Sequence, residues 1–205
     1  MDIYIRDLEK RDFKLARKFA IEGMNLNWYA TTRLTLLWYS HYFWNLELLK
    51  ASQAFGAYHN NTLVGVLLVD INGQDKLFHS KIRSFFVKFS DFIISGFFSN
   101  SSDAYNQANK YMLHKFMADH EPDGEIIFFA TDPVHHGKGV GSLLLNKLEE
   151  EQRGKLIYLF TDSGSTYQFY QKKSFQQSGR CVVEIRNGDD LVTLVCYIFH
   201  KVLGT

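Results

Sequence analysis

The sequence has little of several features that would assign a function at once. Its 205 residues include two cysteines, too few for the disulfide framework of a small secreted protein. Lysine plus arginine (23) exceeds aspartate plus glutamate (22) by one, so the chain lacks the basic surplus typical of nucleic-acid-binding proteins. No uncharged apolar run reaches the roughly 18 residues that a membrane-spanning helix needs. We therefore expect no nucleic-acid partner and no membrane span.

The beginning of the sequence, MDIYIRDLEKRDF, carries charges within its first residues and is unlike a signal peptide, which favours a cytoplasmic location. Aromatic residues are abundant, with 18 Phe, 11 Tyr and 3 Trp, and hydrophobic residues make up 46% of the chain. Such a chain can bury a sizeable core. Its length suits one domain, or one domain with an elaboration. We expect a cytoplasmic enzyme or binding module.

Hydrophobic periodicity alternates between strand-like and helix-like segments along the chain. The predicted strands cover residues 3–6, 53–58, 63–71, 125–131, 156–160, 181–186 and 191–199. The predicted helices begin after Asp7 or Asp12, after Thr31 or Thr32, and at Gly139, and a short helix ends near Lys173. This alternation predicts a mixed α/β fold with one sheet.

Residues 73–122 interrupt the alternation. Apolar residues recur at intervals of three and four from Ile82 to Phe97 and again from Tyr105 to Phe116, which predicts two helices. We interpret this segment as a helical hairpin inserted between the third and fourth strands. The apolar face of its first helix consists of Ile82, Phe86, Phe89, Ile93 and Phe97. Such a face must pack on the domain, on a second subunit or on an apolar ligand, so a homodimer stays open.

The last two predicted strands form a hairpin about Gly188 and Asp189. That pairing would place Cys181 opposite Cys196. We expect both cysteines to be reduced thiols, because nothing in the sequence indicates an oxidising compartment.

The most informative segment covers residues 131–145 and reads TDPVHHGKGVGSLLL. A buried strand ends there, and three glycines at alternate positions, Gly137, Gly139 and Gly141, open a helix. Glycine lets a backbone approach an anion closely, and the free N–H groups at a helix start favour negative charge. The segment therefore predicts a pyrophosphate-binding loop, to which His136 or Lys138 can add charge.

The spacing of these glycines excludes two common phosphate-binding loops. A Walker loop requires G-x-x-x-x-G-K followed by Ser or Thr, but Gly139 follows Lys138. The dinucleotide fingerprint requires G-x-G-x-x-G, and this loop reads G-x-G-x-G. His135 and His136 do not indicate a metal, because adjacent side chains point apart and no cluster of cysteines or carboxylates has ligand spacing.

The loop resembles that of the GNAT N-acetyltransferase superfamily, [Q/R]-x-x-G-x-[G/A], over residues 136–141, with His136 departing from the first position. The preceding GEIIFFATDP is similar to the family's fourth strand, which carries a glutamate at the position of Glu125 in the histone-acetylating branch. The later FYQKKSF is similar to the family's F-Y-x-K-x-G-F, with Ser174 in place of glycine. The family's coenzyme-contacting asparagine would fall at or near Ser163.

This resemblance implies a GNAT acyl-CoA N-acyltransferase fold with a single domain over residues 1–205 and a coenzyme-binding core over residues 124–175. The helical insert over residues 73–122 is atypical of the family. It implies an acetyl-CoA-dependent N-acetyltransferase, in which a primary amine attacks the thioester directly within a ternary complex. Glu125 would be the general base and Tyr170 the general acid. The implied coenzyme contacts are Phe129, Ala130, Thr131, His136, Gly137, Lys138, Gly139, Val140, Gly141, Ser142 and Ser163.

Plainer interpretations stay open at this point. The glycines can form an ordinary turn, Glu125 can be a solvated residue at a strand start, and Tyr170 can be a core tyrosine. The alternative function is a catalytically inactive acyl-CoA-binding or interaction module. The sequence does not identify the acceptor, so a small amine, a peptide N-terminus, a lysine and an antibiotic all remain possible. We expect the insert to lie over the acceptor side of the cleft.

Overall fold

A seven-stranded sheet organises the computed structural model, which describes residues 2–24, 26, 32–97, 101–187 and 190–204. Its strands are β1 (Tyr4–Asp7), β2 (Gln53–His59), β3 (Thr62–Ile71), β4 (Gly124–Thr131), β5 (Leu156–Asp162), β6 (Gln176–Asn187) and β7 (Asp190–Val202). The order is β1-β2-β3-β4-β5-β7-β6. The central neighbours β4 and β5 are parallel, and every other pair is antiparallel. The predicted mixed α/β fold is confirmed.

The helices of the described chain are α1 (Phe13–Gly23), α2 (Arg33–Lys50), α3 (Lys81–Phe97), α4 (Ser101–Asp119), α5 (Val140–Glu151) and α6 (Gln168–Lys172). Helix α2 begins with a capping box, in which Thr32 accepts from the backbone N–H of Thr35 and Thr35 accepts from that of Thr32. Thr31, the other predicted start, lies outside the described residues, as do the predicted hairpin residues Gly188 and Asp189.

Helices cover both faces of the sheet. Helix α5 packs on β2 and β3 and fully buries Leu144, Leu145 and Leu148 on one face. Helices α1 and α2 pack on the other face, where the ring of Trp44 meets that of Phe128 edge-on at 5.5 Å. Strand β4 is therefore enclosed on both sides, as expected for its continuous apolar sequence.

The two predicted insert helices are present as α3 and α4, but they contact different parts of the fold. Helix α4 lies on β6 and β7 and buries Ala108, Met112 and Phe116 there. Helix α3 lies beside α2. None of the helices in the described part of the chain is both long and apolar enough to cross a membrane.

The apolar face predicted for α3 does not pack as a unit. Ile82 and Phe89 are 83% and 53% exposed, whereas Val87 and Ser90 are buried. The reason is a polar anchor, because Arg83 donates from Nε to Oδ1 of Asn45 on α2 at 2.8 Å. This bond turns the row containing Arg83, Val87 and Ser90 towards α2. The prediction that Ile82 and Phe89 pack on their own domain is therefore wrong. The side chain at position 97, the fifth residue of the predicted face, lies outside the described part.

The two cysteines are register partners in the hairpin formed by β6 and β7. Cys181 pairs with Cys196, which confirms their predicted opposition. Both thiols are free in the structure, with Cys196 buried and Cys181 half-buried.

Gly124 supplies a stability test of the strand pairing that leads into the site. A Cβ at Gly124 would collide with the backbone carbonyl oxygen of Asp70 on β3, and backbone cannot move aside as a flexible side chain can. We expect Gly124→Ala to lower the free energy of unfolding by roughly 1–3 kcal/mol, measured by urea denaturation.

Gly23 provides the matched control for this substitution. A Cβ there would lie 3.6 Å from that of Ala130, an ordinary contact. Gly23→Ala should therefore change stability by less than about 0.5 kcal/mol or increase it slightly. Equal effects of the two substitutions would contradict the close approach at Gly124.

Candidate active site

Strands β4 and β5 diverge at the centre of the sheet. They pair only from Gly124 to Ile126 on β4 and from Ile157 to Leu159 on β5. Beyond Ile126, within the described residues, β4 pairs with β3 alone. A wedge therefore opens between two parallel strands towards their carboxyl ends, the edge at which open α/β sheets bind ligands.

A β-bulge lies where the divergence begins. Leu68 pairs with Phe128 and Val69 pairs with Ile126, so Ile127 has no partner in β3. A bulge adds one residue to a strand, bends it and shifts its alternation. As a result Ile127 and Phe128 both lie with the core beneath α1 and α2, while Ile126 packs with the core beneath α5.

The backbone of β4 after the bulge directs unused polar groups into the wedge. Asp132 donates its N–H to the carbonyl of Val64 at 2.9 Å. Because peptide groups alternate along an antiparallel pair, those of Phe129 and Thr131 then point away from β3, into the wedge. The peptide groups of Ala130 point towards β3. Of the three predicted backbone contacts, Phe129 and Thr131 are thus available to a ligand in the wedge.

The loop that follows β4 has the backbone geometry that its glycines predict. Gly137 and Gly139 have φ values of +75° and +83°, a region that glycine occupies without strain. A Cβ on either would meet nothing within 4 Å. Open space therefore lies directly above the loop, and conformation rather than crowding requires these two glycines.

Backbone donors converge at the start of α5. In the described part of the chain, five N–H groups between residues 137 and 142 have no hydrogen-bond acceptor. They are those of Gly137, Gly139, Val140, Gly141 and Ser142. Unpaired N–H groups at a helix start carry partial positive charge, so together they form an anion-binding site. The side chains of His136 and Lys138 are exposed on the same loop.

Gly141 connects this loop to α6. A Cβ there would lie 3.3 Å from Cζ of Phe169 and 3.5 Å from Cζ of Phe129. The absence of a side chain at Gly141 thus lets the start of α5 approach both the wedge strand and the FYQKKSF segment. The predicted glycine motif and the predicted downstream motif meet at one place.

Glu125 lies at the start of β4 on the face covered by α1 and α2. It is half-buried, and its Oε2 accepts a hydrogen bond from the Tyr158 hydroxyl at 3.0 Å. Burial raises the pKa of Glu125 to about 7, an effect that nearby Glu47 and Asp70 reinforce and that Lys50 and Tyr158 oppose. A carboxyl that is half ionised near neutral pH suits general-base catalysis.

Tyr170 lies on α6, on the other side of the wedge strand. Its ring packs against four aromatic rings at centroid distances of 5.4–6.3 Å: those of Phe129, Phe169, Phe175 and Phe199. Burial raises the pKa of Tyr170 above its usual value of 10. The described residues offer its hydroxyl no hydrogen-bond partner. The phenol therefore keeps its proton at neutral pH and remains available to a group in the wedge.

Ser163 follows β5 and is tied to β7. Its N–H donates to the carbonyl of Val195 at 2.9 Å, and its Oγ accepts from the N–H of Val195 at 3.0 Å. Its hydroxyl proton remains available for donation. Ser163 thus lies across the wedge from the loop after β4, with its N–H and one acceptor position of its Oγ already used.

Tyr158 is the site residue that sequence reasoning missed. Its strand was predicted, but which β5 residue stands beside Glu125 depends on the register of a parallel pair, and a sequence does not contain that register. Among the described residues, no group of three or more His, Cys, Asp or Glu side chains is placed to hold a metal ion.

Comparison with known proteins agrees with this geometry. Residues 107–177 match the family model described as the acetyltransferase (GNAT) domain. Over these residues the chain resembles a GNAT acetyltransferase domain. The matched segment contains β4, the glycine loop, α5, β5 and α6, so the predicted resemblance and the predicted enzyme class are both confirmed. No curated protein sequence matches the chain.

Several solved structures share the fold over the whole chain. A histone acetyltransferase HPA2 and related acetyltransferase from Corynebacterium glutamicum has a TM-score of 0.59 at 17% identity, covering 100% of this chain and 98% of its own. Ard1 from Thermoplasma volcanium has a TM-score of 0.56 at 12% identity, covering 100% of both chains. NAA60 from Arabidopsis thaliana, in complex with a bisubstrate analogue, has a TM-score of 0.56 at 13% identity, covering 99% of both. At these identities the likeness establishes the fold.

The raised pKa of Glu125 makes a prediction about the stability of the protein. The pKa of Glu125 is about 7 in the folded protein and takes the ordinary value of 4.5 in the unfolded chain. Between pH 4.5 and pH 7 the folded protein therefore binds more protons than the unfolded chain. Stability is therefore lost as pH rises through that window. Glu125→Gln removes this ionisable group. The free energy of unfolding of the variant, relative to that of the wild type, should therefore rise by on the order of 3 kcal/mol between pH 4 and a pH above 7.

The measurement is urea denaturation of both proteins from pH 4 to pH 8. Replacement of Glu150, an exposed residue of α5, by Gln serves as the control and should give a nearly flat difference. If the difference in free energy of unfolding between Glu125→Gln and the wild type is also independent of pH, the desolvation of Glu125 is contradicted.

Proposed function

We propose that the protein transfers an acetyl group from acetyl-CoA to a primary amine by direct attack within a ternary complex. The observation that carries this proposal is the wedge between β4 and β5, with unpaired backbone donors along β4 and at the start of α5. Glu125 and Tyr170 flank the same strand. The match to the GNAT acetyltransferase domain supports acetyl transfer as the chemistry.

The residues present fit coenzyme A. The five unpaired N–H groups from Gly137 to Ser142 suit a pyrophosphate, and Lys138 and His136 add exposed donors beside them. The peptide groups of Phe129 and Thr131 would pair with the amide groups of the pantetheine arm. Acetyl-CoA supplies the acetyl group as an activated thioester.

The acceptor must lose a proton before it can attack. An alkyl ammonium with a pKa of about 10.4 is neutral in only about 1 molecule in 2,500 at pH 7, which costs roughly 4.6 kcal/mol. Glu125 would take this proton, directly or through a water molecule. Glu125 interacts with Glu47 and Lys50 of α2, and its partner Tyr158 packs on Phe116 of α4. We therefore propose that the amine approaches from that face, between the first helices and the insert.

The departing sulfur needs a proton in return. Tyr170 would supply it, since burial raises its pKa and keeps the phenol protonated until negative charge develops nearby. The backbone N–H of Phe129 would stabilise the negative charge on the carbonyl oxygen. A covalent intermediate on Cys196 is disfavoured, because burial raises the pKa of its thiol to about 12 and the thiolate is scarce at neutral pH.

The proposed function is tested by offering acetyl-CoA with a library of amines and following thiol release. The library should contain polyamines, peptides with free N-termini, lysine peptides and aminoglycosides. Thiol release that depends on one amine class, with a mass increase of one acetyl group on that amine, is the expected result. Coenzyme binding without turnover over the whole library would favour the inactive binding module instead.

Coenzyme binding depends on the loop at Gly139. We expect Gly139→Glu to abolish the binding of acetyl-CoA in calorimetry, because a carboxylate would occupy the anion site and the positive φ would be strained. Gly73→Glu is the matched control, since Gly73 has a φ of +79° and open space around it but lies in the turn after β3. Coenzyme affinity that is equal in the two variants would contradict this placement.

Tyr170 should affect chemistry rather than binding. Tyr170→Phe is expected to lower kcat roughly 10²-fold or more and to leave acetyl-CoA affinity near the wild-type value, as for the loss of a general acid. The control is Tyr111→Phe on the exposed side of α4. An unchanged kcat, with chemistry as the slow step, would show that Tyr170 is a core residue.

A further inference from the structure

A row of polar side chains crosses the centre of the sheet on the face of α2 and α4. Asp70, Glu125, Tyr158 and His200 are successive register partners in β3, β4, β5 and β7. Directly paired residues project to the same face of a sheet. Tyr158 therefore stands beside Glu125 and reaches its Oε2 at 3.0 Å.

The insert holds the ring of Tyr158 in place. Phe116 of α4 is 3% exposed, and its ring centroid lies 5.9 Å from that of Tyr158. Phe160 meets the same ring edge-on at 5.6 Å. Phe116 also packs on the rings of His120 and His200, so it is fixed between α4 and β7. Contacts on two sides thus hold the tyrosine ring in the orientation that brings its hydroxyl to Glu125.

We propose that Tyr158 is a positioning residue for Glu125 and that helix α4 of the insert fixes it in that role. This inference rests on the proposed function, in which Glu125 is the general base. Tyr158 fixes Oε2 of the carboxylate and leaves Oε1 to accept the proton of the amine. The insert then has a function beyond covering the sheet, because it completes the surroundings of the base.

The direction of the effect follows from the groups around Glu125. Glu47 of α2 and Asp70 of β3 act with burial to raise its pKa, whereas Lys50 of α2 and the hydrogen bond from Tyr158 lower it. A donated hydrogen bond favours the charged carboxylate. Removing the hydroxyl therefore raises the pKa of Glu125 further and leaves less of the base form at neutral pH.

His120 and His200 are the titratable groups behind Tyr158, on α4 and β7. Their rings lie 5.0 Å apart, and burial together with His120 lowers the pKa of His200. They contact Phe116 and each other, and His200 also pairs with the hydroxyl of Ser178, whereas the Glu125 carboxylate pairs with Tyr158. Direct titration of Glu125 is therefore needed to separate its ionisation from theirs.

The experiment compares the wild type with Tyr158→Phe by two measurements. The first is the pH profile of kcat/KM with the amine found in the library. The second is the titration of the Glu125 carboxyl carbon by ¹³C NMR in the protein without substrates, assigned by its loss in Glu125→Gln. We expect both midpoints to move to higher pH by roughly half a unit to one unit, so that kcat/KM at pH 6 falls about 3–10-fold.

Tyr4→Phe is the matched control. Tyr4 lies on β1, and its hydroxyl donates to Asn61 far from the wedge. Both midpoints should stay at the wild-type values in this variant. An unmoved ¹³C midpoint in Tyr158→Phe, with the protein folded, would overturn the positioning role.

Failure of the proposed function has a different signature. A ¹³C midpoint that moves in Tyr158→Phe, while the kinetic profile stays fixed and Glu125→Gln keeps full activity, would support the hydrogen bond and overturn Glu125 as the base.

Phe116→Leu tests the part of the inference that concerns the insert. The substitution keeps the site apolar but removes the flat contact with the tyrosine ring. We expect a smaller upward movement of the same two midpoints. Unchanged midpoints in a folded Phe116→Leu protein would overturn the role of α4 and leave Tyr158 positioned by β5 alone.

Discussion

The structure of the site depends on the early loss of pairing between β4 and β5. After three register pairs the two strands separate, and a backbone edge that would otherwise be used by a neighbouring strand is left without partners. Buried peptide groups need hydrogen-bond partners, so an open edge inside a sheet is costly unless a ligand or water fills it. The bulge at Ile127 contributes by bending β4 at the point of separation. The positions of the loop and of the start of α5 follow from that geometry, while Glu125 lies in the last paired part of β4.

The sequence predicts the local parts of this arrangement well. The strand 125–131, the glycine loop and the helix after it come from contiguous residues, and the structure places them within about one residue of the prediction. Local patterns do not contain the relation between distant elements. The contact between Tyr158 and Glu125 depends on parallel register, and the orientation of α3 depends on the bond between Arg83 and Asn45. Hydrophobic periodicity places Ile82 on the packed face of α3, because a periodic pattern does not show a polar contact such as that between Arg83 and Asn45.

Glu125 shows how a functional site departs from the most stable choice. An apolar residue would suit its half-buried position better, since burial disfavours the ionised carboxylate. The fold compensates in part through Lys50 and the hydroxyl of Tyr158. Sites of this kind are common where activity requires a group that stability alone would not select.

The sheet consists of two halves that meet where β4 pairs with β5. One half contains β1 to β4 with α1 and α2, and the other contains β5, β7 and β6 with α4. Three register pairs join β4 to β5, and the core beneath α5 extends under both halves. The hydrogen bond between Glu125 and Tyr158 joins the two halves at this junction. The carboxyl proposed as the base therefore also takes part in the junction that holds the two halves of the sheet together.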